Sequence, residues 1–306
     1  MIDVSIIIIS HNNRNALSRA IVSARRFTGA LQVETIVVDN GSTDGSAQMI
    51  ERLYSNVQLV ANASNRGYAT ACGQGLEAAN GRTMLLLDSE VELTQDCLEA
   101  LLRVLDAHPL VGACGPLAEG PALPAGGFPS LGISLLSGEK RRRAEEARLR
   151  RRVRERECYD VDWLRGLCLL VRREVLPQIG GPDRRLRAGH AEMAWCRRMQ
   201  QAQWRRVLVP GALCRYEPTP GEGPSAGALL RDEYTYWRLN KGWLPTWALY
   251  NLRLLQAGAQ WWQLVMENVL TRNQDPEIKA FLRAAAGRWG WHLRNGWRVL
   301  FGSLTA

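Results

Sequence analysis

The sequence predicts an α/β fold, a Rossmann-like, mostly parallel sheet flanked by helices, followed by a helical C-terminal extension rich in Trp and Arg. Three observations carry this expectation. Short apolar, β-branched runs at Val4–Ile9, Thr35–Val38 and Met84–Leu87 alternate with helix-like segments at Ala16–Phe27 and Ser46–Tyr54, which is the βαβ pattern of a parallel sheet. Each run ends in polar residues, Ser10-His11-Asn12, Asp39-Asn40-Gly41-Ser42 and Asp88-Ser89-Glu90, and parallel sheets bind ligands beyond the carboxyl ends of their strands. Past the Pro/Gly stretch Pro218–Gly227 the composition changes, with eight of the eleven tryptophans between Trp237 and Trp297. The expected division is an α/β domain over residues 1–220 and a helical region over 221–306.

Composition narrows the class. The 306 residues, 46% hydrophobic and 23% charged, suit one large domain with an appendage and exclude a disordered or fibrous chain. Seven cysteines are an odd number, widely spread and never in a CxxC pair, which argues against a disulfide framework or a zinc site and for a reduced, cytoplasmic protein. Val4–Ile9 has no basic segment before it and is shorter than the core of a secretory signal.

A net charge of +9 and a pI near 9.5 suggest an anionic partner: nucleotide phosphate, membrane lipid or nucleic acid. Arg253 interrupts the best apolar stretch, Leu244–Leu270, so any membrane contact is expected from one side, peripheral to the inner membrane. Glu139–Glu157 packs ten Lys/Arg and five Glu into nineteen positions after a Gly/Pro/Ser-rich loop at Gly115–Gly138; it reads as a charged helix, either solvated or in contact with phosphate or lipid. On a helical wheel Ile278, Leu282, Ala285, Trp289, Leu293, Trp297 and Leu300 share one face, away from Arg283, Arg294 and Arg298. Such a helix fits a membrane interface or packs on the first domain or a second subunit.

Asp39, at a strand tip before the turn Asn40–Ser46, is placed to accept hydrogen bonds from a ribose or base; the same turn residues also suit a plain turn with a helix cap at Thr43 or Asp44. No GxGxxG follows the first strand, which disfavours dinucleotide binding. Asp88 and Glu90 are two positions apart, and on an extended strand they would face the same side. Two hard oxygens there suit Mg²⁺ or Mn²⁺ on a diphosphate, and they equally suit a strand end with solvated acids.

The order of these segments, with Asn62–Gly67, Ala69, Ala71, Gly73 and Gly75, then Leu85–Glu92, Asp162–Gly166 with Leu170–Glu174, and Gly180–Asp183, resembles glycosyltransferase family 2, in particular its rhamnosyltransferase-like branch of bacterial polysaccharide synthesis. The resemblance implies a GT-A fold, a nucleoside-diphosphate sugar donor (UDP, dTDP or GDP), a divalent cation and inversion at the anomeric carbon. Carried over, Ser10, Asn12 and Asp39 hold the nucleoside, Asn65, Arg66 and Gly166 belong to the donor site, and Asp88 with Glu90 forms the metal motif, which in relatives ends in Asp.

Relatives also carry a Glu-Asp pair shortly before an Asp-Trp-Cys-like ending, the second acid of the pair being the base. Here the segment is His190-Ala191-Glu192-Met193-Ala194-Trp195-Cys196, so alignment on Trp195-Cys196 puts Glu192 at the base position with His190 as runner-up. Alanines stand at two of the acidic positions. The implied function is transfer of one sugar to a lipid-linked or growing polysaccharide acceptor at the inner membrane; the alternative is a degenerate transferase serving as a subunit of a polysaccharide assembly complex, and a homodimer fits the Trp-rich tail. Nucleic acid is disfavoured as a partner, because Lys140–Arg156 is interspersed with Glu and lacks base-stacking aromatics.

Overall fold

The computed structural model describes residues 2–120, 123–134, 147, 157–219, 225–270 and 276–301. In chain order the elements are β1 (Val4–Ser10), α1 (Arg14–Arg26), β2 (Val33–Asp39), α2 (Ser46–Leu53), β3 (Val57–Ala61), α3 (Tyr68–Ala78), β4 (Thr83–Asp88), β5 (Val91–Leu93), α4 (Cys97–Ala107), β6 (Val111–Glu119), β7 (Ala125–Gly126), α5 (Leu131–Ser134), β8 (Tyr159–Asp160), β9 (Trp163–Leu164) and β10 (Cys168–Arg172). After a short 3₁₀ turn follow α6 (Leu176–Ile179), α7 (Ala191–Gln201), β11 (Arg205–Tyr216), α8 (Ala226–Lys241), α9 (Trp243–Leu270) and α10 (Pro276–Phe301). The charged segment Glu139–Glu157 lies almost entirely outside the described residues, while Gly115–Glu119, read as loop, is the end of β6.

Strand order in the main sheet is β3-β2-β1-β4-β10-β6-β11-β5, with β8 beside β11. The β3-β2-β1-β4 half is parallel, and β10 enters antiparallel between β4 and β6. Alternation along β1 sends Ile6 and Ile8 into one core with Leu17, Ile21, Leu98 and Leu101, and Ile7 and Ile9 into the other with Cys72, Leu76 and Trp195. Both faces are covered, which is why these strands read as unbroken apolar runs. Each fully buried Ile or Leu contributes about 1.5–3 kcal/mol of transfer free energy. The register Ile9↔Val38 and Ile9↔Asp88 brings the carboxyl tips of β1, β2 and β4 level.

The chain forms two compact units, Met1–Phe128 with Gly138–Glu222, and Pro129–Ser137 with Gly223–Ala306. In the second, α9 and α10 run antiparallel: Tyr250 Oη donates to the His292 carbonyl at 3.0 Å, and the Trp261 and Trp289 rings lie 5.3 Å apart. Leu282, Ala285 and Trp289 lie on the packed side of α10 as the wheel expected, but the stripe continues through His292 and Gly296, and Leu293 is 59% exposed. The cause is close approach, since a Cβ at Gly296 would sit 2.1 Å from Tyr250 Oη. Ile278, Trp297 and Leu300 lie outside the residues whose side chains are described.

His292 is 2% exposed, and its Nδ1 is 3.1 Å from Tyr234 Oη. Burial holds its pKa below the ordinary 6.5, Arg253 adds to that effect and Glu233 opposes it. A depressed pKa in the folded state means that the unfolded chain binds the proton more tightly. Stability is therefore full above pH 6.5 and is lost as the pH falls below it toward the folded value. The thermal midpoint of this unit is expected to drop between pH 7.5 and 5.5, and His292→Asn, whose amide takes the place of Nδ1, to flatten that dependence.

Candidate active site

At the tip of β2, Asp39 is buried and its two carboxylate oxygens accept from the hydroxyl and the backbone N–H of Ser42. The Ser42 hydroxyl accepts the Asn12 N–H at 2.9 Å, and the Asn12 side-chain oxygen accepts the Thr43 N–H at 2.8 Å. Asn12 holds φ 53°, a left-handed conformation that asparagine tolerates better than most residues. Asn12, Asp39 and Ser42 thus form one brace between the first two strand tips. Asp39 retains acceptor capacity, because a carboxylate has about four lone-pair sites.

Ser10 is buried, and its hydroxyl donates to Asn13, as does that of Ser89; it holds the β1 tip against the β4 turn. The α2 cap is Asp44, one residue before the helix's left-handed N-cap Gly45: its carboxylate accepts Ser46 N–H at 3.0 Å and reaches back to Arg14 N–H at 2.8 Å, serving two helix starts.

Asn65 accepts from Asn40 at 3.1 Å and from the Gly67 N–H at 2.9 Å, while Arg66 has an exposed side chain and donates its N–H to Asn40. Gly41 is required beneath this loop: at φ +80°, an added Cβ would meet the Ser64 carbonyl carbon at 2.5 Å. Paired amides of Asn62 and Gln74 tie the loop to α3.

The extended-chain reading of Asp88-Ser89-Glu90 is corrected by the structure. The chain turns after β4, and Asp88 Oδ1 accepts the Glu90 N–H at 2.9 Å. Glu90 Oε1 accepts the Thr219 N–H at 2.6 Å. The two carboxylates still feel each other. Asp88 is half-buried, and its pKa is pushed up to about 6, first by burial and then by the Glu90 and Glu192 charges, against the pull of the Glu90 N–H and Arg165.

Glu192 stands in the first turn of α7, where the helix dipole favours a carboxylate. Burial nevertheless raises its pKa; its own backbone N–H, Arg165 and the Gly166 N–H oppose the rise. Gly166 is enclosed: a Cβ there would lie 2.1 Å from Tyr68 Oη and 2.6 Å from Glu192 Oε1. Tyr68 Oη donates to the Gly166 carbonyl at 3.1 Å, so Tyr68 and Glu192 flank one residue. The helix carrying Glu192 is pinned by Trp195 to the Gly180 carbonyl and by Arg198 to the carbonyls of Ile179 and Gly181. His190 is the left-handed N-cap of α7, with φ 62°.

The structure therefore gathers Asp88, Glu90, Glu192 and Gly166 at the β4 tip, and sets Ser10, Asn12 and Asp39 at the neighbouring tips of β1 and β2. Sequence reasoning gave no role to Tyr68, Arg165 and Tyr216: burial and then the nearby acids push the Tyr68 and Tyr216 hydroxyls up, and the Arg165 charge opposes the rise at Asp88. Nothing local marks them, since each arrives through a tertiary contact. Among the described residues no three Asp, Glu, His or Cys side chains converge as a metal cage. Two carboxylates on one turn, one with a free oxygen and one burdened by like charge, fit Mg²⁺ or Mn²⁺, which take one or two protein carboxylates and complete their shell with water and phosphate.

An α/β sheet of this order, with acids at the β2 and β4 tips, defines a GT-A type glycosyltransferase domain. Solved glycosyltransferase structures share the fold, among them two with Mn²⁺. One is GalNAc-T7 with UDP, GalNAc and Mn²⁺ (TM-score 0.59, 18% identity, 80% of this chain and 53% of that one). The other is the mannosyltransferase PcManGT from Pyrobaculum calidifontis with GDP-Man and Mn²⁺ (TM-score 0.56, 16% identity, 96% and 87%). The chain spans about half of the first structure's length. Residues 5–177 match Glycosyl transferase family 2. Over 238 residues, 69% of this chain and 78% of the relative, the sequence is 30% identical to the N-acetylglucosaminyl-diphospho-decaprenol L-rhamnosyltransferase of Mycobacterium tuberculosis. It is 33% identical over 106 residues, 34% of this chain and 30% of the relative, to the succinoglycan biosynthesis protein ExoO of Rhizobium meliloti. The chain belongs to glycosyl transferase family 2 and is a glycosyltransferase.

Proposed function

We propose that the protein is an inverting hexosyltransferase that moves one sugar from a nucleoside-diphosphate donor (UDP, dTDP or GDP) to a lipid-linked or growing saccharide acceptor, in bacterial exopolysaccharide or surface polysaccharide synthesis at the inner membrane. The observation that carries this reading is Glu192, held by the Gly166 N–H in the field of Asp88. Inversion in one displacement needs a base on the acceptor hydroxyl as it attacks the anomeric carbon. A carboxylate whose pKa burial has raised toward the working pH is a better base than a free one. Asp88 and Glu90 would hold the divalent cation, which when bound neutralises charge on the departing diphosphate. The Asn12–Asp39–Ser42 brace supports the nucleoside end, and the lipid-diphospho acceptor in the mycobacterial relative's name supports the acceptor class.

A second reading, a transferase that has lost turnover and serves in an assembly complex, is favoured by Ala191 and Ala194, both buried at positions where the family resemblance implies acids. Titration of the protein with UDP, GDP and dTDP, with and without Mn²⁺, separates the two. The enzyme is expected to bind one nucleotide at least about tenfold more tightly with metal. Binding of none by folded protein supplied with detergent would overturn the donor site and leave the second reading.

A further inference from the structure

Helix α9 is amphipathic in the inverted sense. Leu244, Trp247, Leu255, Trp262 and Met266 are 44% to 72% exposed, and at 100° per residue they fall within an arc of about 100° along a stripe of about 33 Å. The opposite side packs inward through Thr246, Leu249, Tyr250 and Ala257. Among the described side chains of α9 the one formal charge, Arg253, also faces inward, paired with Glu233 at 3.0 Å. A helix of a water-surrounded unit buries its apolar face; this one presents it.

The described exposed charges of this unit have one sign. Among the residues of this unit whose burial is described, the exposed charges are Arg231, Lys241, Arg283, Arg288 and Arg294, while the acids Asp232 and Glu233 are buried. Residues 223–306 hold ten Lys/Arg against five Asp/Glu. No helix is long and apolar enough to cross a membrane among the described residues. An exposed apolar stripe with Trp along it, in a unit whose described exposed charges are all cationic, matches an anionic lipid surface, where Trp and Arg sit at the headgroup boundary. A second copy is the poorer occupant, because it would bring together two units whose described exposed charges are all cationic.

We propose that this face of α9 is a membrane-docking surface that seats the protein on an anionic bilayer without spanning it. The inference deepens the proposed function, since a lipid-linked acceptor requires the enzyme at a bilayer. The test is flotation of the full chain with phosphatidylcholine vesicles, with and without phosphatidylglycerol, comparing the native protein with the double variant Leu255→Glu/Trp262→Glu. Both positions are exposed, so the fold is expected to persist, as circular dichroism will report.

The native chain is expected to float with the phosphatidylglycerol vesicles, with a blue shift of Trp emission, and the variant to lose at least about tenfold in partitioning. Absence of flotation, equal flotation of the variant, or a native dimer that the variant dissociates would overturn the proposal, the last by assigning the face to a second copy. Nucleotide binding by the variant is expected to be unchanged. Loss of docking with nucleotide binding intact therefore concerns α9 alone, and vesicle binding without any nucleotide binding would sink only the donor-site reading.

Discussion

Glu192→Gln is expected to lower kcat by about 10³-fold with the nucleotide that the titration identifies, while nucleotide affinity stays within about twofold. Glutamine matches glutamate in shape, so its side-chain oxygen can still accept the Gly166 N–H and fill the space over Gly166 that admits no Cβ. What it cannot do is take a proton at pH 7. It also removes one of the like charges that raise the Asp88 pKa, so the donor end of the cleft is relieved rather than damaged. Single-turnover transfer and calorimetric nucleotide binding measured on one preparation make the comparison. Unchanged turnover would take the base role from Glu192 and give it to His190, two residues earlier at the left-handed start of α7. Loss of nucleotide binding as well would mean that Glu192 supports the donor pocket instead.

What could be read from the chain alone follows from which contacts are local. β1, β2 and β4 were legible because both faces of each are buried, leaving unbroken Ile, Val and Leu runs. β3, at the sheet edge, is partly exposed and carries no such run, and the sequence did not reveal it. β10 is an apolar run as well, but its antiparallel entry between β4 and β6 is a tertiary choice. At the site, the acids were visible as strand-tip residues, whereas the turn that points the Glu90 N–H back at Asp88 was not, because extended and turned backbones share that tripeptide. Tyr68 reads as an ordinary helix-start aromatic and becomes part of the site through Gly166, 98 positions away. In α10 the wheel chose the largest apolar side chains, and the fold chose Gly296 and His292, where α9 comes close.

Asp88→Asn is expected to separate function from stability, abolishing metal-dependent nucleotide binding while raising the thermal midpoint. Asp88 is crowded by Glu90 and Glu192 and half removed from water, and folding raises its pKa from the ordinary 3.8 to about 6. A raised pKa means that this carboxyl is at its most favourable when protonated, and that the advantage is lost as the pH rises through about 6. At pH 7.5 the ionised group then costs the fold at most about 3 kcal/mol, and less to the extent that it still touches water. Asparagine keeps the oxygen that accepts the Glu90 N–H and discards the charge. The midpoint is expected to rise by roughly 3–8 °C at pH 7.5, and the gain to shrink toward pH 5, where the native carboxyl is protonated as well. Mn²⁺ together with the bound nucleotide is expected to recover that stability in the native protein and not in the variant, because a cation offsets the charge that asparagine has already removed. Equal midpoints for the two proteins at pH 7.5 would show that Asp88 is not under strain from its neighbours, and metal-dependent binding of undiminished strength in the variant would move the cation away from the β4 tip.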